Sequence, residues 1–150
     1  MQLQNREQIR ARHALAFKRR VERKETVASG KEGGDAIRKV PAMIMANGLL
    51  AATAFAIEEK KNKQTGEMEP RSKGHRAIFD AIAEHLASTE VDITPGITDA
   101  KSLIDYLANE GSATLKLATD EALAWLAYAR RFVSGGAEET AGTGTEEQDE

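Results

Sequence analysis

Residues 41–56 read PAMIMANGLLAATAFA, and whether this run is a hairpin or a helix decides the class of fold. Asn47-Gly48 between two apolar flanks is a strong short-range signal for a tight β-hairpin. The flanks, however, show no polar alternation and are poor in β-branched residues. They are rich in Ala, Leu and Met, which favour helix. A helix is therefore expected, with Pro41 in its first turn. Within it Gly48 costs about 1 kcal/mol relative to Ala, and a buried Asn47 amide needs a polar partner. The expected compensation is a helix crossing, where Gly48 admits a neighbouring backbone and Asn47 reaches a polar group on it. Pro41, Asn47 and Gly48 are thus structural candidates. Being apolar on every side, the helix should be the buried centre of a bundle.

The stretch from Val40 to Ile57 is also the one candidate membrane span. Asn47, Gly48 and Thr53 interrupt it and much of the rest is Ala, whereas a span needs roughly 20 strongly apolar residues. No membrane partner is expected. The largely polar residues ahead of the run do not read as a signal peptide. A chain of 150 residues, 41% hydrophobic and 30% charged, is long enough for one compact domain. Cysteine is absent, which excludes disulfides, thiolate zinc sites and cysteine nucleophiles and fits a reducing cytoplasm.

Helical periodicity recurs outward from the central run. Ile9, His13, Ala16, Phe17 and Val21 share one arc of a first segment, while Arg12, Arg19 and Arg23 form a stripe outside it. Arg10, Arg20 and Lys24 fall on the apolar side, where their long stems can snorkel. TVASGKEGG (26–34) is a flexible connection, followed by a short turn around Asp35 to Lys39. EEKKNKQTGEMEPRSKG (58–74) reads as a loop. A third helix is expected from about His75 to Ala87, with Ile78, Phe79, Ile82 and Leu86 inward and Arg76, Asp80 and Glu84 outward. Thr98 or Asp99 caps a fourth, with Leu103, Ile104 and Leu107 on its core side and Gly111 at its end. Thr119 caps a fifth, whose first turn holds Asp120 and Glu121 and whose last turn holds Arg130 and Arg131, as the macrodipole prefers.

The expected fold is all-α: a single compact bundle of about five helices over residues 1–135, then a disordered acidic tail over 136–150. Its core should include Ile44, Leu49, Leu50, Phe55, Ile82, Leu86, Leu103, Leu107, Leu123 and Leu126.

No enzyme motif is found. His13, His75 and His85 lie on different segments or faces and show no metal-binding spacing, so they read as packing or surface residues. Asp80 and Glu84 stand one helical turn apart, which suits a carboxylate pair but is equally the pattern of a solvated face. SGKEGG lacks both the phosphate-loop spacing and a preceding strand. No catalytic residue, metal or cofactor is expected.

Charge is the remaining signal. Residues 1–24 carry +6 and residues 134–150 carry −6, so the net −3 of the whole chain leaves residues 1–133 at +3. The basic clusters are the stripe Arg12, Arg19 and Arg23 with its neighbours Lys18, Arg20 and Lys24; the loop residues Lys60, Lys61, Lys63, Arg71 and Lys73; Lys116; and Arg130-Arg131. Such groups can track a phosphate backbone without reading sequence. Charge alone leaves an ordinary solubilising surface equally open. One Trp, two Tyr and four Phe are too few for extensive base stacking, which favours phosphate contacts and shape.

Two stretches carry more than composition. The run KVPAMIMANGLLAATAFA (39–56), with its Pro, Met-Ile, Asn-Gly-Leu and closing Ala-Phe, resembles the signature helix of the small α-helical subunit of type III-B CRISPR effector (Cmr) complexes. LKLATDEALAWLAYARRFVSG (115–135) resembles that family's terminal helix, and HRAIFDAIAEHLAS (75–88) its middle amphipathic helix. The likeness spans roughly residues 9 to 134. Arg130-Arg131 stands where the family has Lys-Arg. Leu115 stands before Lys116 where an aromatic is common, which puts stacking there in doubt, and the acidic tail has no counterpart.

The resemblance implies a subunit that is not a nuclease. Copies of it stack along the complex, opposite the subunits that hold the guide RNA, and help form the channel for target single-stranded RNA. Its implied partners are other Cmr subunits and copies of itself. The type III-A small subunit fits the Asn-Gly-Leu helix less well. A helical protein-interaction scaffold without RNA contact is the reading from another class, and an enzyme using Asp80 and Glu84 a third.

Overall fold

The computed structural model describes residues 3–33 and 35–133. They form an all-α domain of six helices with one two-stranded hairpin. The acidic tail expected at 136–150 lies outside the described residues.

Helix α1 (Arg6–Glu22) starts at a reciprocal capping box, in which Asn5 accepts from the Gln8 backbone N–H and Gln8 accepts from that of Asn5, each at 2.9 Å. It buries Ile9, Ala14 and Phe17; Ala16, expected inside, is exposed.

Helix α2 (Ala36–Asn47) replaces the turn expected at Asp35 to Lys39, so Pro41 lies inside the helix and not in its first turn. Pro41 has no N–H for the Ile37 carbonyl one turn back. Only one stripe of α2 is inward, Ala36, Ile37, Val40 and Ile44, and Met45 is 75% exposed.

The apolar run is two helices. Gly48, at φ 89° and ψ 159°, ends α2 and begins α3 (Leu49–Ala56). It satisfies both, donating to the Ile44 carbonyl at 2.8 Å and accepting from the Ala52 N–H at 3.1 Å. A methyl group at Gly48 would meet nothing within 4 Å, and Asn47 is exposed. The pair therefore marks a change of helix direction and no helix crossing. The requirement is conformational, since this positive φ strains any L side chain.

The close backbone approach lies elsewhere. A Cβ on Gly74 would fall 1.8 Å from the carbonyl oxygen of Gly33. That contact seats residues 26–33 on the start of α4 (Lys73–Ala87), and the Ile37 N–H bonded to the Ala28 carbonyl at 2.9 Å ties them to α2.

Between α3 and α4 the expected loop contains a hairpin. Strand β1 (Glu59–Lys61) pairs antiparallel with β2 (Met68–Pro70), Lys60 facing Glu69. Its turn is built from polar residues: the Asn62 side chain accepts from the N–H groups of Gln64 at 2.8 Å and Thr65 at 3.1 Å, and Gly66 takes φ 77°.

Helix α4, capped by Ser72, buries Ile78, Phe79, Ile82 and Leu86 and touches every other helix. Helix α5 (Ala100–Asn109) is capped by Asp99, which accepts from the Ser102 N–H at 2.8 Å, and buries Leu103 and Leu107. Helix α6 (Ser112–Asp149) starts well before Thr119. That residue is no cap, because its hydroxyl donates to the Leu115 carbonyl one turn back. Of the expected core, Ile44, Leu49, Ile82, Leu86, Leu103, Leu107 and Leu126 are buried and Leu50 and Leu123 half-buried. Phe55 is 39% exposed and lies edge-on to His75. The largest buried side chain is Trp125, packed on Phe17 with ring centres 5.7 Å apart.

Candidate nucleic-acid interface

The basic residues divide by whether the fold has already given them a counter-charge. Arg12 pairs with Glu90, Lys18 with Glu22 at 3.7 Å, Arg20 with Glu84 at 3.4 Å and Arg71 with Glu58 at 3.4 Å. Arg19, Arg23, Lys61, Lys63, Lys73, Lys116 and Arg131 are exposed and have no ion-pair partner among the described residues; Arg130 is exposed too. Exposed pairs contribute little to stability, about 0–1 kcal/mol. Even so, each carboxylate neutralises a cation that would otherwise meet a phosphate.

Arg12 and Arg19 lie two turns apart on α1. By contrast, Lys116 and Arg131 are separated by about 22 Å along α6 at 1.5 Å per residue, so they do not form one patch. What the fold does bring together is the end of α1 with the hairpin. Lys24, Lys31, Lys60, Arg71 and Lys73 line an open groove of about 960 Å³, with Glu25, Glu32 and Glu69 on the same walls. Of these, Lys31 was not among the basic residues picked out from the sequence.

A buried polar cluster was not anticipated. Glu121, read as a helix-start acid, is 4% exposed and central to it. Arg10 donates to both its oxygens at 2.8 Å, Arg6 to one at 3.1 Å, and His85 Nε2 stands 2.8 Å from Oε2. An ionised carboxylate only accepts, so His85 Nε2 carries the proton. His85 Nδ1 then accepts from His13 Nδ1, 2.8 Å away, and His13 Nε2 lies 3.3 Å from Glu90. The cluster ties α1, α4 and α6 together beneath a cavity of about 230 Å³ lined by His13, Phe17, His85 and Trp125. The available signal was Arg10, a cation on the apolar arc of α1 that calls for a buried carboxylate.

Burial pushes the His85 imidazole down to about 4, outweighing its bond to Glu121. For Glu121 burial acts upward, but the bonds from Arg10 and His85 overcome it and hold the carboxyl at about 2. Both lie below their unfolded values of 6.5 and 4.5, so the unfolded chain binds more protons as pH falls. Stability should decline from pH 6.5 to about 4 through His85, and from pH 4.5 to about 2 through Glu121. The first step amounts to about 3 kcal/mol at 1.36 kcal/mol per pKa unit. Urea unfolding across this range checks it; a flat profile from pH 6.5 to 4 contradicts a buried neutral imidazole.

Asp80 and Glu84 are committed separately. Asp80 accepts from the Ala100 N–H at 2.8 Å and pairs with Arg76 at 3.4 Å, whereas Glu84 holds Arg20. Among the described residues no three His, Cys, Asp or Glu are grouped to hold a metal ion, and no helix is long and apolar enough to cross a membrane.

The family model described as CRISPR-associated protein (Cas_Cmr5) matches residues 6–136. No curated protein and no solved structure matches the chain.

Proposed function

The chain belongs to the CRISPR-associated Cas_Cmr5 family, and from that membership we propose that it is the non-catalytic small subunit of a cytoplasmic type III-B RNA-guided effector complex. Copies stack along the complex, dock on its other Cmr subunits and help hold target RNA by its phosphates. Residues 1–135 are the folded unit and 136–150 an acidic appendage.

The observation that carries the RNA-holding part is the set of exposed cations that have no ion-pair partner among the described residues: Arg19 on α1 and Arg23 at its end, Lys61 and Lys63 in the hairpin, Lys73 at the start of α4, and Lys116 and Arg131 on α6. Phosphates interact with such groups without first displacing a protein carboxylate. The paired residues Arg12, Lys18, Arg20 and Arg71 support instead the second reading, a helical scaffold that touches protein only, or the type III-A counterpart of this subunit.

Complexes assembled with Arg12, Arg19 and Arg23 neutralised together, or with Lys116, Arg130 and Arg131 neutralised together, test the proposal. Target RNA should bind more weakly, about equally for unrelated guide and target pairs. Each lost phosphate contact should flatten the slope of log affinity against log salt by about 0.7. Intact complexes with unchanged affinity and slope in both variants would leave the scaffold reading. Complexes that fail to assemble would place these residues between subunits.

A further inference from the structure

We infer that the groove between the end of α1, the 24–32 connection and the hairpin is a seat for the phosphodiester backbone of single-stranded RNA, held by its phosphates with the bases outward. This deepens the proposed function and rests on it.

Five cations line the groove against three carboxylates, Glu25, Glu32 and Glu69. Lys24, Lys31, Lys60 and Lys73 have no ion-pair partner among the described residues. Arg71 pairs only with Glu58, which lies outside the lining, at 3.4 Å. Of the acids, Glu69 is engaged as acceptor by the Asn62 amide at 3.3 Å. Five cations against three carboxylates leave the lining at a net +2, a local excess of positive charge that a polyanion relieves.

The arrangement is held by backbone, not by the flexible lysine stems. Lys24 follows the end of α1 at φ 61°, its N–H bonded to the Val21 carbonyl at 3.1 Å. Glycine adopts that conformation freely and ordinarily occupies it after a helix. A lysine there accepts strain and places a cation at the groove. Lys31 sits on the connection seated by the Gly33 and Gly74 contact, Lys60 on β1, and Arg71 and Lys73 flank the Ser72 cap of α4. Four separate segments thus converge on one channel.

The remaining lining identifies the ligand. Val21, Thr26, Val27, Pro70 and Ser72 include no aromatic ring. Proteins that grip single strands by their bases do so on aromatic platforms, each base stacked being worth a large share of the binding. A groove with cations and no platform can hold phosphates and sugars but not bases. Its volume of about 960 Å³ exceeds what one phosphate needs and suits a run of backbone.

The test uses the full chain, fluorescent oligouridylate, and an abasic ribose-phosphate oligomer of equal length, titrated from about 30 to 200 mM salt. The chain should bind both oligomers within about threefold of one another. The triple variant Lys24→Gln, Lys60→Gln and Lys73→Gln should weaken both about tenfold or more at the lowest salt and flatten the salt slope by about 2, the value for three contacts. Lys101→Gln on α5 should bind as the parent does, and circular dichroism should show every variant equally helical. If the parent binds oligouridylate and the triple variant binds it equally well, the groove assignment is wrong while the proposed function stands. Binding of oligouridylate without the abasic oligomer also overturns it, because bases would then be held. If poly-glutamate competes as effectively as the abasic oligomer and loses its hold equally in the triple variant, the groove takes an acidic protein segment. Failure of the parent to bind either oligomer, alone or in its assembled complex, removes the RNA-holding function and the groove with it.

Discussion

Glu121→Ala should lower the unfolding free energy by about 3 kcal/mol, which for a chain of this size moves the thermal midpoint by roughly 10 °C. The loss exceeds the worth of any one bond, because removing the carboxylate leaves the buried His85 Nε2–H without an acceptor and Arg10 without its two-oxygen partner. It stays near the lower end for a broken buried pair, because Arg6 and Arg10 are partly exposed and can turn to water. Glu121→Gln keeps one acceptor oxygen and should lose less. Both variants should also show a shallower fall of stability below pH 4.5, since the group that titrates there is gone. Denaturant unfolding measures both effects. A variant as stable as the parent would mean that the cluster does not clamp α1 to α6.

Gly74→Val should be at least as damaging, about 3 kcal/mol or more, for a steric reason. The first added carbon would stand 1.8 Å from the Gly33 oxygen and within 3 Å of two other backbone atoms of that residue. Those atoms cannot give way as a side-chain tip would. Gly33 is itself confined, since a Cβ there would fall 2.7 Å from the Ser29 nitrogen. Residues 26–33 should therefore lift from α4, and amide exchange at Ile37, whose N–H is held by Ala28, should quicken. Gly48→Ala meets open space and should cost only the strain of a backbone conformation that glycine alone adopts readily, about 1–3 kcal/mol. Equal loss in the two variants would contradict the close contact at Gly74.

Those two glycines show what the sequence discloses and what it conceals. The inward faces of α4 and α5 were legible because one unbroken helix preserves phase at 100° per residue. Across Gly48 phase is not preserved: a residue at φ 89° re-aims the axis, so a run read as one helix buried on every side wrongly carries Phe55 into the core. Asn47-Gly48 does signal a turn, but between two helices. The hairpin escaped notice because its three-residue strands have no apolar alternation and are held by the Asn62 turn and backbone bonds. Basic clusters are visible as letters, yet which cations keep free charge depends on acids far along the chain, as Glu90 is from Arg12. The buried cluster was hidden for the same reason, Arg10 and Glu121 being 111 residues apart.

The packing of α1 against α6 also bears on how the chain is made. A ribosome delivers α1 first, but Trp125 and Glu121, the partners of Phe17 and Arg10, emerge more than a hundred residues later. At about 5–20 residues per second that interval is several seconds or more. During it α1 packs only slightly on the helices already made, its main partner among them being α4. Final closure of the domain thus waits until α6 has left the ribosome. A nascent chain arrested between α5 and α6 should remain sensitive to protease at α1, and release of the arrest should make it resistant.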